Sequence, residues 1–101
     1  MPRTIAGLPS ARTESVTVGA TSTGLTRANY DRVSPPVGAV ITVETAQIRW
    51  WDDGTDPTAS EGYLSNVGAV ITLDSPARAA GFRAIRTGGT SATLRVAYRG
   101  T

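Results

Sequence analysis

The sequence predicts an all-β domain: an antiparallel β-sandwich of jelly-roll-like form, or a small barrel, with about seven short strands. Short runs rich in β-branched residues alternate apolar and polar positions, which is typical of half-buried strands. Turn-forming residues separate these runs about every ten residues, and no segment has a helical period of useful length. With 101 residues the chain has the size of one domain. We expect residues 1–13 to form an extended N-terminal arm and residues 14–101 a single β domain.

The first half of the chain contains three predicted strands. Val16 and Val18 alternate with polar residues and indicate the first strand. Residues 21–36 are rich in Thr, Ser, Asn, Asp and Pro, and consecutive prolines end this segment because proline donates no ladder hydrogen bond. Residues 37–43 are the strongest strand, with β-branched or small residues throughout. Residues 47–51 follow after a short turn and form the next strand.

The second half repeats the pattern of strand and turn. Residues 52–62 form a loop by composition, and Tyr63 and Leu64 are expected to begin a short strand. Residues 67–73 form a clear strand that ends at a proline. Residues 77–80 are expected to form one helical turn. Residues 82–86 and 92–98 form a hairpin around a Gly-Gly turn, with the alternate residues from Ala92 to Tyr98 on one face.

One hexapeptide, Val-Gly-Ala-Val-Ile-Thr, occurs at residues 37–42 and again at residues 67–72. Two copies are too few for a solenoid, which needs at least three repeats. Two interpretations remain open. In the first, two central strands converged on the same β-branched sequence. In the second, the two segments occupy equivalent places in two facing sheets.

The residue types that are missing exclude most enzyme chemistry. The chain has no His, Cys or Lys, which excludes a Ser-His-Asp triad, a thiol nucleophile, the usual zinc, haem and iron–sulfur sites, a Schiff base and a P-loop. A carboxylate pair for glycoside hydrolysis stays open, but it needs a deep cleft that so small a domain seldom has. We therefore expect neither an enzyme nor a cofactor.

The charges are few but segregated. The net charge of +2 comes from scattered arginines, which does not favour nucleic acid as a partner. No apolar run reaches the length of a membrane-spanning helix or of a signal-peptide core, so we expect no membrane partner and a cytoplasmic origin. Residues 44–61 carry a net −4 and residues 63–101 a net +4. These segments are expected to attract each other within the fold or between copies, although a GC-rich genome would equally explain arginine without lysine.

The loop holds half of the carboxylates, namely Asp52, Asp53, Asp56 and Glu61. Calcium prefers such oxygen ligands, but the spacing does not follow the EF-hand register. Asp-Gly and Asp-Pro also make turns without a metal, so turn chemistry is favoured and no metal is expected.

Two adjacent tryptophans precede this loop. Neighbouring strand residues point to opposite faces, so Trp50 is expected in the core with Ile48, and Trp51 outside. Trp51 would be exposed in a monomer unless a partner covers it. With Tyr63 nearby it suits a sugar-binding platform or a protein-contact anchor, and we favour protein contact.

Residues 47–59 read Gln-Ile-Arg-Trp-Trp-Asp-Asp-Gly-Thr-Asp-Pro-Thr-Ala and are followed by Gly62. This pattern resembles that of small tailed-phage proteins with Ile-Arg-aromatic, then Asp-Asp-Gly-Thr-x-Pro-Thr-Ala, then Gly and a second strand. The likeness continues over residues 82–98 and, more loosely, 41–44. It implies a structural role in the virion, as capsid decoration or another component, with no catalytic residues. Trp51 departs from the family pattern, where a more polar residue stands, and this favours a contact there.

The residues and the resemblance together predict a capsid decoration, or cement, protein located in the virion and made in the host cytoplasm. Its expected partners are the major capsid protein or another virion protein, and further copies of itself in a homo-oligomer. The alternatives are a carbohydrate- or receptor-binding module of a head fibre or tail tip, and a head–tail connector or tail-completion ring. The predicted interface residues are Arg3, Ile5, Leu8, Arg49, Trp51, Tyr63, Arg83 and Arg95.

Overall fold

The computed structural model describes residues 10–26 and 38–99, and every structural statement below concerns these ranges. Three of the predicted interface residues, Arg3, Ile5 and Leu8, lie outside them. Within them the chain forms eight strands and one short helix. These are β1 Ser10–Val18, β2 Thr23–Gly24, β3 Gly38–Glu44, β4 Ile48–Trp51, β5 Tyr63–Ser65, β6 Val70–Leu73, α1 Pro76–Gly81, β7 Arg83–Arg86 and β8 Ala92–Arg99.

The strands form two antiparallel four-stranded sheets. Sheet I has the order β1-β8-β3-β6 and sheet II the order β2-β7-β4-β5. Hydrogen-bonded pairs join β1 to β8, β2 to β7, β3 to β6 and β4 to β5, so the chain forms one long hairpin that is rolled into two layers. This connectivity is a jelly roll. The predicted all-β sandwich is thereby confirmed, whereas the predicted hairpin of residues 82–86 and 92–98 is wrong, because β7 belongs to sheet II and β8 to sheet I.

The core lies between the two sheets, where alternate residues of each strand point inward. β3 and β8, the two central strands of sheet I, supply seven of the fifteen buried apolar side chains of the described residues, in the alternation that the sequence predicts. These buried residues are Ala39, Ile41, Val43, Ala92, Leu94, Val96 and Tyr98. Ile48, Phe82 and Ala84 face them from the side of sheet II. The small number of aromatic residues is sufficient because the two layers meet through β-branched and small side chains.

β1 begins at Ser10, so the last four residues of the predicted arm belong to a strand. Residues 10, 12 and 13 pair with the end of β8, with an irregularity between Ser10 and Arg12. The described part of the arm is therefore an edge of sheet I.

A buried tyrosine ties three segments together. Tyr98 has no exposed surface, and its hydroxyl donates to the carboxylate of Glu14 on β1. The same carboxylate accepts hydrogen bonds from the backbone nitrogen and the hydroxyl of Thr26, just after β2. One carboxylate thus joins β8, β1 and the segment that leaves β2.

The described residues of the two hexapeptide copies, 38–42 and 67–72, lie side by side in one sheet. β3 and β6 are antiparallel neighbours in sheet I, with Ile41 opposite Ile71 and Thr42 opposite Val70. The interpretation that placed the two segments in facing sheets is therefore wrong. Each copy supplies one buried isoleucine to the core, and the two copies are partners in the same ladder.

A β-bulge explains why β6 starts at Val70 rather than at residue 67. Gly68 donates its backbone N–H to Val43 O at 2.8 Å, and Val43 N–H donates to Ala69 O at 3.0 Å. Two residues of one strand thus oppose a single residue of the other. Gly68 has a φ of +93°, which a glycine adopts without strain.

The predicted helical turn is confirmed as α1. The Ser75 hydroxyl accepts the N–H of Arg78 at 3.2 Å, and Pro76 begins the helix, where its missing N–H costs nothing. Ala79 is the buried residue of α1, and the helix ends at Gly81 beneath residues 52–54.

Candidate binding surface

An aromatic cluster lies where β4 ends and β5 begins. The ring centroids of Trp50 and Tyr63, paired across these strands, are 4.9 Å apart. Trp50 also lies 5.7 Å from buried Phe82, and its indole N–H donates to Ser65 Oγ at 2.9 Å. Trp50 thus packs half-buried against the core rather than lying within it, and its one polar atom is satisfied.

Trp51 is half-buried rather than exposed, which corrects the expectation for a monomer. The Tyr63 ring packs edge-on against it, with centroids 5.0 Å apart and an interplanar angle of 66°. Tyr63 itself remains 55% exposed. The aromatic surface available for contact is therefore Tyr63 together with the uncovered part of Trp51.

Arginines from sheet II hold the acidic loop, residues 52–62, in place. Arg49 donates from its guanidinium to Ala59 O at 3.2 Å and to Gly62 O at 2.9 Å. Arg83 donates to the Asp56 carboxylate at 3.1 Å and to the hydroxyl of Ser22. These two predicted interface residues thus support the loop beside Trp51. Some of their hydrogen-bonding groups are already used for this support and are not left free for a partner.

The loop also rests on α1. Gly54 N–H donates to Gly81 O at 2.9 Å, and the Arg78 guanidinium lies 3.9 Å from the Asp52 carboxylate. Thr58 and Glu61 exchange two backbone hydrogen bonds that close the second half of the loop. The loop is therefore fixed at both ends.

A groove of about 270 Å³ lies between Trp51 and this loop. Its other lining residues are Asp53, Thr55, Asp56 and Glu61. Asp56 is paired with Arg83, but no cation in the described part of the chain pairs with Asp53 or Glu61. Donation from the backbone N–H and the hydroxyl of Thr55 lowers the pKa of Asp53 below its ordinary value of 3.8. The groove therefore has an aromatic wall and an excess of negative charge.

The carboxylates of the loop do not converge on one point. Within residues 10–26 and 38–99 no group of three or more acidic side chains is placed to hold a metal ion. Asp53 instead accepts the backbone N–H of Thr55 at 3.0 Å, a local turn of the kind that Asp favours. The arrangement suits a large organic cation better than a metal ion, since the negative charges surround a space beside an indole ring.

Arg95 lies elsewhere, on the outer face of sheet I. Its guanidinium donates to Glu44 at 3.2 Å and to the hydroxyl of Ser15. It borders a shallow depression of about 440 Å³ whose floor consists of small side chains such as Thr42 and Ala97. This face is separate from the groove.

The structure thus brings four predicted interface residues together, namely Arg49, Trp51, Tyr63 and Arg83, and leaves Arg95 on the other sheet. Sequence reasoning treated the acidic loop and the tryptophans as separate features. The signal that joins them is the position of Asp-Asp-Gly-Thr-Asp directly after Trp51, which forces the carboxylates to lie near the indole.

Some of the charges that are segregated in the sequence form ion pairs within the fold. Three ion pairs join the acidic segment 44–61 to the basic segment 63–101. They are Arg78–Asp52, Arg83–Asp56 and Arg95–Glu44. All three are at least partly exposed to solvent, so each contributes little to stability. They orient side chains around the groove and on sheet I.

Comparisons with protein-family models, with curated proteins and with solved structures found no significant match. Within the described ranges, no helix has both the length and the apolar character that a membrane span requires.

Proposed function

We propose that this protein is a structural component of a tailed-phage virion, a capsid decoration protein that bridges neighbouring capsid subunits. The observation that carries the proposal is the groove between Trp51 and the acidic loop, with the exposed Tyr63 at its rim. Tyr and Trp are enriched among the residues that anchor protein contacts, and a polar, solvent-accessible rim surrounds such anchors. The resemblance of residues 47–59 and 82–98 to small phage virion proteins supports the location.

The groove is proposed to receive a cationic side chain of the capsid subunit, an arginine or a lysine. A guanidinium or ammonium group there meets the Trp51 ring and the two carboxylates, Asp53 and Glu61, that no cation of the described chain neutralises. A cation over an indole contributes about 0.5–2 kcal/mol, depending on how far it is desolvated. Arginine is favoured because its planar fork binds carboxylates with two hydrogen bonds.

Attachment stabilises the shell by mass action. A protein that binds the closed arrangement of capsid subunits better than a loosened one shifts the equilibrium toward the closed form. The rigid loop supports this role because its groove is formed before binding. Contact of this kind requires no catalytic group, which suits a chain without His, Cys or Lys.

The fold is compatible with the proposal and with its main alternative. Jelly rolls occur in viral capsid proteins and in lectins, but a fold does not determine a function. A carbohydrate- or receptor-binding module is the second candidate, since Trp51, Tyr63 and nearby carboxylates are groups that bind sugars. The two rings meet edge to face at 66° and do not form a flat platform, which favours a protein partner.

Co-sedimentation of purified protein with capsids that lack it tests the proposal. We expect binding and a gain in the heat or osmotic resistance of the capsids. Trp51→Ala and Glu61→Gln should each weaken binding, Glu61→Gln by about 3- to 10-fold, the effect of one charged contact. Asp74→Asn is the control, since it removes one exposed negative charge outside the groove; the ion pair with Arg78 that it breaks is exposed and contributes little.

Failure to bind capsids, or unchanged capsid resistance, would overturn the proposal. If Glu61→Gln and Asp74→Asn weakened capsid binding equally, the groove would not be the contact site. A shift of tryptophan fluorescence on addition of glycans, together with no capsid binding, would instead support the carbohydrate-binding alternative.

A further inference from the structure

One side of the sandwich carries an open edge, defined here as β5, the turn of residues 66–69, and β6. In the described part of the chain β6 pairs with a strand on one side only, since it ends the order of sheet I. The hydrogen bonds of Val43 to Gly68 and Ala69 determine which residues of β6 bond to β3 and which point away from it. Ile71 bonds to β3, whereas the N–H and C=O groups of Val70 and Thr72 point away from it. These two residues offer a ready template for another strand.

The exposed large apolar side chains of the described residues are concentrated on this open edge. They are Tyr63, Leu64, Val67 and Val70, with exposed fractions of 55%, 48%, 58% and 64%. Exposed apolar side chains gathered along one edge of a small domain favour a contact there. The open edge thus combines unpaired backbone groups with apolar side chains.

The open edge also lacks the residues that normally block edge-to-edge pairing. Residues 62–73 contain no charged side chain and no proline. The other edge of sheet I, strand β1, carries Arg12 and Glu14. Charges and prolines on edge strands prevent association in many β proteins. In a two-fold dimer the residues near the axis lie close to their own copies, so a charged edge would repel itself while an uncharged one does not.

The fold already contains the side-chain register that such a dimer needs, although inside sheet I the hydrogen-bonded pair is Ile41–Ile71 rather than Val opposite Thr. Val40-Ile41-Thr42 of β3 pairs antiparallel with Val70-Ile71-Thr72 of β6, so that Val lies opposite Thr at both ends. Inside sheet I, the sequence Val-Ile-Thr of β3 therefore already pairs with the sequence Val-Ile-Thr of β6. The outward side of β6 presents this sequence again to any copy of itself.

We infer that β6 pairs antiparallel with β6 of a second copy about a two-fold axis at Ile71, joining two copies of sheet I into one eight-stranded sheet. Val70 lies opposite Thr72 of the partner subunit, and Thr72 opposite Val70 of the partner subunit. Each pair exchanges two backbone hydrogen bonds. Asp74, the first charge beyond the strand, falls opposite Gly68 of the partner subunit, so like charges do not meet. This inference does not depend on the groove or on capsid binding.

Sedimentation velocity over a range of protein concentrations tests the inference. Because the paired strands are short, we expect a monomer–dimer equilibrium in the micromolar range. Val70→Lys adds a charge on each side of the axis and should raise the dissociation constant by about tenfold or more. Thr17→Lys, at an exposed position of edge strand β1, is the matched control and should leave it unchanged. A wild-type protein that stays monomeric, equal effects of the two variants, or a ladder of larger species would each overturn the inference.

A cross-linking experiment checks the register, because the chain has no cysteine of its own. The double variant Val70→Cys with Thr72→Cys places each thiol opposite one of the partner subunit, with Cα atoms about 5.5 Å apart, within disulfide range. Mild oxidation should give a covalent dimer that reducing agent separates. The control pair Ser15→Cys with Thr17→Cys on β1 should give none. Disulfides formed only when the two double variants are mixed would show head-to-tail pairing of β1 with β6 and overturn the two-fold arrangement.

Discussion

Gly81 is the position where α1 meets the acidic loop most closely, and Gly81→Ala is expected to disturb both. A Cβ atom at this residue would lie 2.6 Å from Asp52 O and 3.0 Å from Gly54 N. Gly81 is not in the left-handed region of φ, so backbone strain does not enter. The close approach allows Gly54 N–H to donate to Gly81 O at 2.9 Å. The substitution therefore tests whether this contact positions the loop.

The size of the effect follows from the overlap. Ordinary van der Waals contact begins at 3.4 Å, so the loop must retreat by about 0.8 Å from Asp52 O. Overpacking of this kind costs about 1–3 kcal/mol, and weakening of the Gly54–Gly81 hydrogen bond adds about 0.5–1.5 kcal/mol. The loss of backbone freedom in the unfolded state offsets about 0.4–1 kcal/mol. We expect a net destabilisation of about 1–3 kcal/mol, a fall in Tm of about 5–20 °C for a domain of this size.

Thermal unfolding followed by circular dichroism measures the change in Tm, and tryptophan fluorescence reports on the groove beside Trp51. Gly88→Ala is the matched control, because a Cβ there meets no atom within 4 Å and φ is not positive. Its Tm should stay the same or rise slightly. If Gly81→Ala were as stable as Gly88→Ala, with unchanged fluorescence, the loop would not rest on α1 as described. Capsid binding should also weaken in Gly81→Ala if the groove is the contact.

Three further substitutions test separate contacts. Tyr98→Phe removes a donor to the Glu14 carboxylate and should cost about 1.5–3 kcal/mol in urea unfolding; an unchanged unfolding midpoint would contradict this. Thr55→Val keeps the backbone donor to Asp53 but removes the hydroxyl, so the Asp53 pKa, followed by carbon NMR, should rise toward 3.8 without reaching it. Because folding lowers that pKa, the stabilisation that the Asp53 carboxylate contributes is present above pH 3.8 and is lost as the pH falls through the lowered value. If the Asp53 pKa of Thr55→Val equalled that of the wild type, the hydroxyl would contribute nothing to it. Gly68→Ala should cost about 1–2 kcal/mol from positive φ alone, since no atom lies within 4 Å of its Cβ, and a neutral effect on Tm would rule out the left-handed bulge.

Alternation along single strands made the layered fold predictable. In β8 the inward residues from Ala92 to Tyr98 follow the period of two without interruption, so the buried face could be read directly. In β6 the same reasoning placed the start three residues too early, because the bulge at Gly68 and Ala69 depends on hydrogen bonds to Val43 on another strand. Periodicity identifies faces, whereas bulges and partner strands depend on contacts that are distant in sequence.

The candidate site was less predictable for the same reason. The order of residues placed Trp51 next to the carboxylates, but the groove also depends on Arg83, which approaches Asp56 from β7. The half-burial of Trp51 depends on Tyr63 across the ladder. The repeat at residues 37–42 and 67–72 is the clearest case: the identity was evident, but only the ladder shows that the two copies pair with each other.

The rolled hairpin explains why the groove and the open edge are close in the chain. β4 and β5 form the closed end of this hairpin, so the acidic loop that joins them can extend without interrupting either sheet. β5 and β6 then form the edges of sheets II and I and are joined by the turn of residues 66–69, while β1 and β2 form the opposite edges. Charges lie in the loop before β5 and disappear from residue 62 to residue 73. A cation-binding groove and an uncharged pairing edge can therefore act on different partners, since the groove offers Trp51 and carboxylates while β6 offers its backbone; Tyr63 is the side chain that borders both.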